Sequence, residues 1–365
     1  MKIGVPKEIK PGENRIALTC SGAQALVNAG HTVCVEENAG VGSGFVDAEY
    51  KQVGAHIVTA AGAWDADLVL KVKEPVAIEY PFLQQQTVFT YFHLAGVDPE
   101  LTHMLLSNKT TAIAYETVED GQGKLPLLAP MSAVAGSMAV TMGNFYLARF
   151  NGGKGMLLSQ LFDQSYGKVL IVGDGVVGQH SAKVASGMGA EVIVAGNRPD
   201  NTRQLAKALS TNIRFIQSNE ENIAAELSDV DLVVGAVLVR GGRTPYVISE
   251  AMVEMMPPGS VIVDVSIDQG GCVATSRPTT HAEPVFEKHG VIHYCVANMP
   301  GAYPRLSTIA LTNATLPYAL KLANQSENAL ATDRGFARGV NTYKGHITCQ
   351  AVAESLNMMS DYQPY

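Results

Sequence analysis

Four residues have side chains and surroundings suited to proton transfer or carboxylate binding: Arg15, Lys73, His93 and Asp268. Arg15 lies in a polar turn after the first apolar segment, where a guanidinium can grip a carboxylate with two parallel hydrogen bonds; an arginine exposed to solvent is the plainer alternative. Lys73 ends an apolar run at 67–73 and is followed by Glu74 and Pro75. A lysine at the mouth of a buried strand can clamp a carboxylate or polarise a carbonyl, and a surface lysine at a strand end is the bland counterpart. His93 ends the run 88–92 in the same way and suits proton transfer near neutral pH, unless it is a core histidine bonded to backbone. Asp268 follows the run 261–265, at the carboxyl end of a parallel strand, where ligands gather in such sheets; a turn aspartate capping N–H groups is the other reading. Asn298 and Met299, in VANMPGAYP, end a further strand and can equally be packing and turn residues before Pro300.

A second kind of chemistry is written at 168–178, KVLIVGDGVVG. Gly173, Gly175 and Gly178 form G-x-G-x-x-G after a strand and into a helix. The first glycine permits the tight turn, the second lets a pyrophosphate approach the backbone, and the third allows close helix–strand packing. The helix start then offers unpaired N–H groups to phosphate. A purely structural glycine turn is the alternative. The end of the second strand, where an acid normally holds the ribose hydroxyls, reads Ala195-Gly196-Asn197-Arg198 and has no carboxylate. Arg198 there can meet a 2′-phosphate, which favours NADP, or point to solvent while Asn197 bonds the ribose.

The elements that position these residues alternate. In the first block, strands are expected at 2–6, 31–36, 56–59, 67–73, 88–92 and 112–117, with helices at 20–29, 47–53 and 99–107. In the second, near-continuous apolar strands at 168–172, 191–195, 213–216, 232–237, 261–265 and 291–296 are separated by helices at 176–188, 203–209, 223–227 and 249–256. Strands spaced by helix-length segments pair in parallel through crossovers, and strands apolar on both faces are covered on both sides. The expected fold is α/β: two Rossmann-like doubly wound domains with a cleft between them. The chain turns helical from about Leu306, and the run 309–322 is expected to pack back on the first block. That gives a discontinuous domain at 1–127 and 306–365 around a dinucleotide-binding domain at 128–305.

Composition narrows the class. With 365 residues and 47% apolar content, the chain can bury large cores. A formal charge of −8 with no basic run counts against nucleic acid and anionic membranes as partners. The five cysteines are widely spaced without CxxC, and no histidines stand at metal-binding spacing, so neither a disulfide framework nor a metal site is expected. The first residues lack an apolar signal core, and the uncharged stretch from Leu125 to Ala148 is crowded with small residues. It reads as a closely packed helix, not a membrane span, which places the protein in the cytoplasm.

The segments GVPKE (4–8), NRIAL (14–18), KVKEP (71–75), FTYFHLA (89–95), TAIAYETV (111–118), GKVLIVGDGVVG (167–178), GSVIVDVSIDQGG (259–271) and VANMPGAYPR (296–305) are collinear through nearly the whole chain. Together they resemble the bacterial L-alanine dehydrogenase family, whose fold also serves the dinucleotide-binding subunit of transhydrogenase. The resemblance implies reversible NAD-dependent oxidative deamination of L-alanine to pyruvate and ammonium, by a homo-oligomer that is usually a hexamer. It implies that Arg15 and Lys73 hold substrate and that His93 and Asp268 are catalytic acid/base groups. It also implies cofactor contacts at Ser132, Val176, Val177, Ser218, Val237, Leu238, Val265, Ser266, Ile267, Asp268, Val296, Ala297, Asn298 and Met299, beside the glycine loop and the 197–198 pair.

The sequence departs from the family at Gly196, where a ribose-binding aspartate is usual, at Ala133 and Ser137, and in LLSQLFDQSYGK (157–168). Two rival readings accompany the first. One is an NADP-linked or drifted amino-acid dehydrogenase of the same fold. The other is a non-catalytic dinucleotide-binding subunit like that of transhydrogenase.

Overall fold

The computed structural model describes residues 1–209, 213–239 and 243–365. The chain divides into two compact units, Met1–Met131 with Tyr303–Tyr365, and Ser132–Ala302. Each is an α/β unit built on one large, mainly parallel sheet.

In the first unit the sheet has eight strands. Its order is His346–Ile347, Val340–Tyr343, Thr111–Ala114, Thr87–Thr90, Leu68–Leu70, Lys2–Val5, Thr32–Glu36, His56–Val58. The six strands nearest the N-terminus run parallel, while the last two join antiparallel. Those two short strands were not expected, because VNTY and HI are too short and too polar to announce themselves. The helix expected from about Leu306 is Pro304–Gln325, and it packs within this unit: Thr308 Oγ1 accepts the Ile16 N–H at 3.1 Å. The strand expected at 67–73 stops at Leu70, because the Glu8 carboxylate captures the N–H groups of Val72 (2.6 Å) and Lys73 (3.2 Å). The strand expected to 117 likewise ends at Ala114 and tightens into a 3₁₀ turn, Tyr115–Thr117.

In the second unit seven strands run in the order Ile213–Gln217, Glu191–Gly196, Lys168–Val172, Leu232–Gly235, Val261–Asp264, Val291–Tyr294, Val285–Lys288. All are parallel except the edge strand Val285–Lys288, which the sequence reading missed. The central strands, VLIV at 169–172, LVVG at 232–235 and VIVD at 261–264, are wholly buried, as a sheet covered on both faces requires. The helix expected at 249–256 shortens to Glu250–Glu254, capped by the Ser249 hydroxyl on the Met252 N–H and followed by Pro257 and Pro258. Segment 157–168 contains a hairpin, Ser159–Leu161 against Gln164–Tyr166, turning through Phe162 at φ 55°. Helix Ala129–Leu147 approaches its neighbours through small residues: a Cβ on Gly136 would lie 2.3 Å from the Val177 carbonyl oxygen. Among the described residues no helix is long and apolar enough to cross a membrane.

The two sheets share a winding. In each, the first strand has the second and third on one side and the fourth, fifth and sixth parallel strands on the other. The chain therefore reverses direction of travel beside the first strand, and in open sheets of this kind the carboxyl ends at that switch point are where ligands bind.

Candidate functional site

In the first unit, Arg15, Lys73 and His93 all lie on segments that leave carboxyl ends of adjacent strands. Arg15 follows Lys2–Val5, Lys73 follows Leu68–Leu70 and His93 follows Thr87–Thr90. A network of buried charge holds them. Lys71 is fully buried between Glu79 (2.9 Å) and Glu8 (3.2 Å). Burial opposes its charge, yet the two carboxylates outweigh that and hold its pKa above the ordinary lysine value. Glu8 spends its other oxygen on the Val72 and Lys73 N–H groups, so one acid both neutralises Lys71 and fixes the backbone of Lys73. The Lys73 carbonyl accepts from Thr90 Oγ1 at 3.0 Å, tying the Lys73 turn to the strand that leads to His93.

Arg15 is 2% exposed, which overturns the solvent-exposed alternative. Its Nε and Nη2 donate to the two oxygens of Glu13 at 2.6 and 2.5 Å, and Nη1 lies 3.2 Å from Met131 Sδ. The two-pronged edge expected for a substrate carboxylate therefore faces an internal partner. Burial works against the guanidinium charge, and the Glu13 hydrogen bonds more than offset it, so its pKa is raised.

His93 sits in a left-handed turn at φ 49°, a conformation that needs support for a residue with a Cβ. Glu116 supplies it: its carboxylate accepts the His93 N–H at 2.5 Å and the Phe92 N–H at 3.3 Å. The same carboxylate lies 3.7 Å from Nδ1, and the imidazole stacks parallel to Tyr91 with centroids 5.8 Å apart. The ring is 45% exposed, not a core histidine. Glu8, Glu13 and Glu116 are functional candidates that sequence reasoning passed over, although each stands inside a quoted segment or beside it. Only Glu13 carried a local signal, as an acid two residues from Arg15; Glu8 and Glu116 meet Lys71 and His93 from distant parts of the chain.

In the second unit, the residues named for the cofactor gather at one edge of the sheet. Gly173 to Gly178 follow the first strand; Asn197 and Arg198 follow the second; Ser218 follows the third. Val237 and Leu238 follow the fourth, Val265 to Asp268 the fifth, and Val296 to Met299 the strand Val291–Tyr294. Parallel register carries all six ends to the same side. Ser132 is not on a strand end but in helix Ala129–Leu147, which packs against the helix that follows the glycine loop, where Ser181 Oγ donates to the Gly136 carbonyl at 2.9 Å. Ser218 N–H donates to the Gly196 carbonyl at 2.9 Å and Ser266 Oγ to the Val237 carbonyl at 2.8 Å, so neighbouring loops are mutually fixed.

The glycine loop has the shape a pyrophosphate needs. Gly173 is at φ 124°, and a Cβ there would lie 2.3 Å from the Ala236 carbonyl oxygen. A Cβ on Gly178 would lie 1.9 Å from the Gly173 carbonyl oxygen. Above Gly175 nothing approaches within 4 Å, leaving open space over the start of helix Val176–Met188. That combination fits a dinucleotide whose phosphates meet the helix N–H groups.

Asp268 is exposed on the 3₁₀ turn Val265–Gln269. Both ends of its loop are held by buried Asp264, which accepts from the N–H groups of Ser266 (3.1 Å), Cys272 (3.0 Å) and Val273 (3.2 Å). Burial pushes the Asp264 carboxyl up, and these bonds with Ser276 pull it back. The turn-capping role imagined for Asp268 thus belongs to Asp264. Asn298 sits at φ 60°, and its carbonyl accepts the Gly301 N–H at 2.9 Å, making it a turn residue as well as a strand-end residue. The five cysteines are free thiols, and no group of three or more metal-ligating side chains occurs among the described residues.

Comparison with known proteins places these observations. The family model for the N-terminal domain of alanine dehydrogenase/PNT matches residues 4–135, and that for the C-terminal domain matches residues 139–350. An alanine dehydrogenase 2 of Staphylococcus aureus strain USA300 is 49% identical over 362 residues, covering 98% of this chain and 97% of that protein. An alanine dehydrogenase of Staphylococcus epidermidis is 49% identical over 361 residues, with the same coverage. A solved L-alanine dehydrogenase superposes with TM-score 0.93 at 46% identity, covering 98% of this chain and 99% of the other. A transhydrogenase from Sinorhizobium meliloti gives 0.81 at 24% identity over 95% and 98%, a likeness of fold alone.

Proposed function

The chain belongs to the alanine dehydrogenase/PNT family, and from that premise we infer that it catalyses reversible, NAD-dependent oxidative deamination of L-alanine to pyruvate and ammonium. The observation that carries this reading is the joint presence of two sets of groups. One is the Arg15–Lys73–His93 set at neighbouring strand ends of the first unit; the other is the open glycine cradle of the second. A subunit that only bound dinucleotide would need the second set and not the first.

The residues divide the work. Gly173, Gly175 and Gly178, with the N–H groups at the start of Val176–Met188, hold the pyrophosphate, and the strand-end residues 237–238, 265–268 and 296–299 line the rest of the cofactor. When bound, the nicotinamide supplies the acceptor for the hydride on C2 of alanine. Lys73, its backbone fixed by Glu8, pairs with the substrate carboxylate and polarises the carbonyl that forms. Arg15 adds positive charge beside that carboxylate. His93 removes a proton from water as it adds to the iminium carbon, then returns one to the departing nitrogen; Glu116 keeps its imidazole in place for both. Asp268 is the second acid/base. One water enters, and pyruvate, ammonium and one further proton leave.

NAD is the cofactor of this reading. An NADP-linked reaction is the second reading, favoured by Gly196 and Arg198 at the ribose end. The working form is a cytoplasmic homo-oligomer, a hexamer by family likeness, whose mass light scattering would measure. The test of function mixes purified protein with L-alanine and NAD, then NADP, and follows absorbance of the reduced nicotinamide. Reduction of NAD is expected. Tight cofactor binding without reduction of either cofactor would overturn the dehydrogenase reading.

A further inference from the structure

We propose that the ion pair between Asp174 and Arg198 sets the cofactor preference of this protein, by keeping Arg198 from receiving an adenosine 2′-phosphate. This rests on the reading that the glycine loop binds NAD.

In this fold an acid at the end of the second strand reads the ribose hydroxyls, and an arginine nearby accepts the 2′-phosphate of NADP. Gly196 at that strand end removes the acid and leaves Arg198, which by itself points to NADP. The structure shows what took the acid's place. A Cβ at position 196 would lie 2.6 Å from Asp174 Cβ and 2.7 Å from Asp174 Oδ2. Position 196 and the Asp174 side chain thus compete for one volume, and the carboxylate now enters it from the glycine loop.

Asp174 is 7% exposed and well bonded. Oδ2 accepts the N–H groups of Asn197 (3.0 Å) and Arg198 (2.5 Å); Oδ1 accepts Arg198 Nη2 (2.8 Å) and Nε (3.1 Å). Its carbonyl accepts from Gln179 Nε2 and Asn201 Nδ2, each at 3.2 Å. The four acceptor positions of the carboxylate are filled, and two of the five N–H donors of Arg198 are turned inward. The charges cancel. The next cation, Arg203 in the helix Pro199–Leu209, which begins four residues before the expected 203, is itself paired with Asp200 at 3.1 Å. A 2′-phosphate brings about −1.5 to −2 of charge at pH 7 to this neutral surface, whereas a 2′-hydroxyl brings none. The pair therefore favours NAD, despite the missing strand-end acid.

The test is calorimetric titration of NADH and of NADPH into the full-length protein, its Asp174→Asn variant and its Arg198→Ala variant, without substrate. Asparagine keeps the volume and one acceptor oxygen for the backbone N–H groups while removing the charge, and thermal melting checks that each variant is folded. The unaltered protein is expected to bind NADH at least tenfold more tightly than NADPH. Asp174→Asn should narrow that ratio at least tenfold, chiefly by tightening NADPH, because Arg198 is released. Arg198→Ala should widen it, because the carboxylate is unmasked. Tighter NADPH binding by the unaltered protein overturns the proposal. So does an unchanged ratio in Asp174→Asn, or a shift of both variants in the same direction; with tight NADH binding, these leave the dehydrogenase reading standing. Failure of the unaltered protein to bind either cofactor overturns the nucleotide site and this assignment with it.

Discussion

The two units are wound in the same strand order, yet the loop after the first strand of each carries opposite chemistry. In the second unit it is GDGVVG, a cradle whose one charge, Asp174, is turned aside onto Arg198. In the first unit the corresponding loop begins Pro6-Lys7-Glu8 and runs on to Glu13 and Arg15. It has no cradle, and its acids are spent internally, Glu8 on Lys71 and Glu13 on Arg15. Fold and strand order thus leave the chemistry undecided; the side chains at the same topological place decide it. Where backbone must approach a ligand, side chains are stripped away. In the first unit, buried acids instead neutralise Arg15 and Lys71 and fix the backbone of Lys73.

The contrast can be broken experimentally, starting with the first unit. His93→Ala removes the proposed proton carrier and leaves the cradle intact, so turnover of alanine should fall about 10²- to 10⁴-fold while NADH affinity stays put. Steady-state kinetics beside calorimetry measure both, and turnover at the parent rate would remove His93 from the mechanism. Gly178→Ala attacks the other unit. Its Cβ meets the Gly173 carbonyl oxygen at 1.9 Å, so the cost is overpacking, about 1–3 kcal/mol. A melting temperature lower by about 2–4 °C per kcal/mol should accompany it. Gly175→Ala sharpens the point, since nothing lies within 4 Å of the added methyl. Melting should be unchanged, while the Kd for NADH rises about tenfold, or about 1.4 kcal/mol, because the methyl occupies the approach of the pyrophosphate. Equal affinity would show that the phosphates lie elsewhere.

The smallest effect concerns stability alone. Arg214 donates to both oxygens of Glu226 at 2.6 Å, and with help from Lys168 holds its carboxyl down to about 2. The folded value lies below the ordinary 4.5, so this stabilisation is complete above pH 4.5 and is lost as pH falls towards about 2. Glu226→Gln should flatten the fall in melting temperature across that window. A parallel fall in both proteins would assign acid sensitivity to other groups.

Much of this was legible in the chain itself. Apolar runs of strand length separated by helix-length segments marked two α/β sheets, and the glycine spacing marked the cradle, because both rest on short-range geometry. The short strand Val340–Tyr343 was not legible, since it pairs with Thr111–Ala114, far away in the chain; Val285–Lys288 pairs with its immediate neighbour Val291–Tyr294, but VFEK is too short and too mixed to show a strand period. Nor was the end of the Leu68–Leu70 strand, which a carboxylate 64 residues away decides by taking the Val72 N–H.

By itself, then, the sequence determined which chemical groups are present and which backbone positions lack a side chain, along with a likeness broad enough to name a family. Only the tertiary structure decided what each charge faces. Arg15 reads as a carboxylate binder until Glu13 is seen across its fork; Gly196 reads as a lost acid until Asp174 is found in its place. The reason is physical: the energy of a charge depends on the partners and solvent within a few ångströms of it, and folding selects those partners from anywhere in the chain.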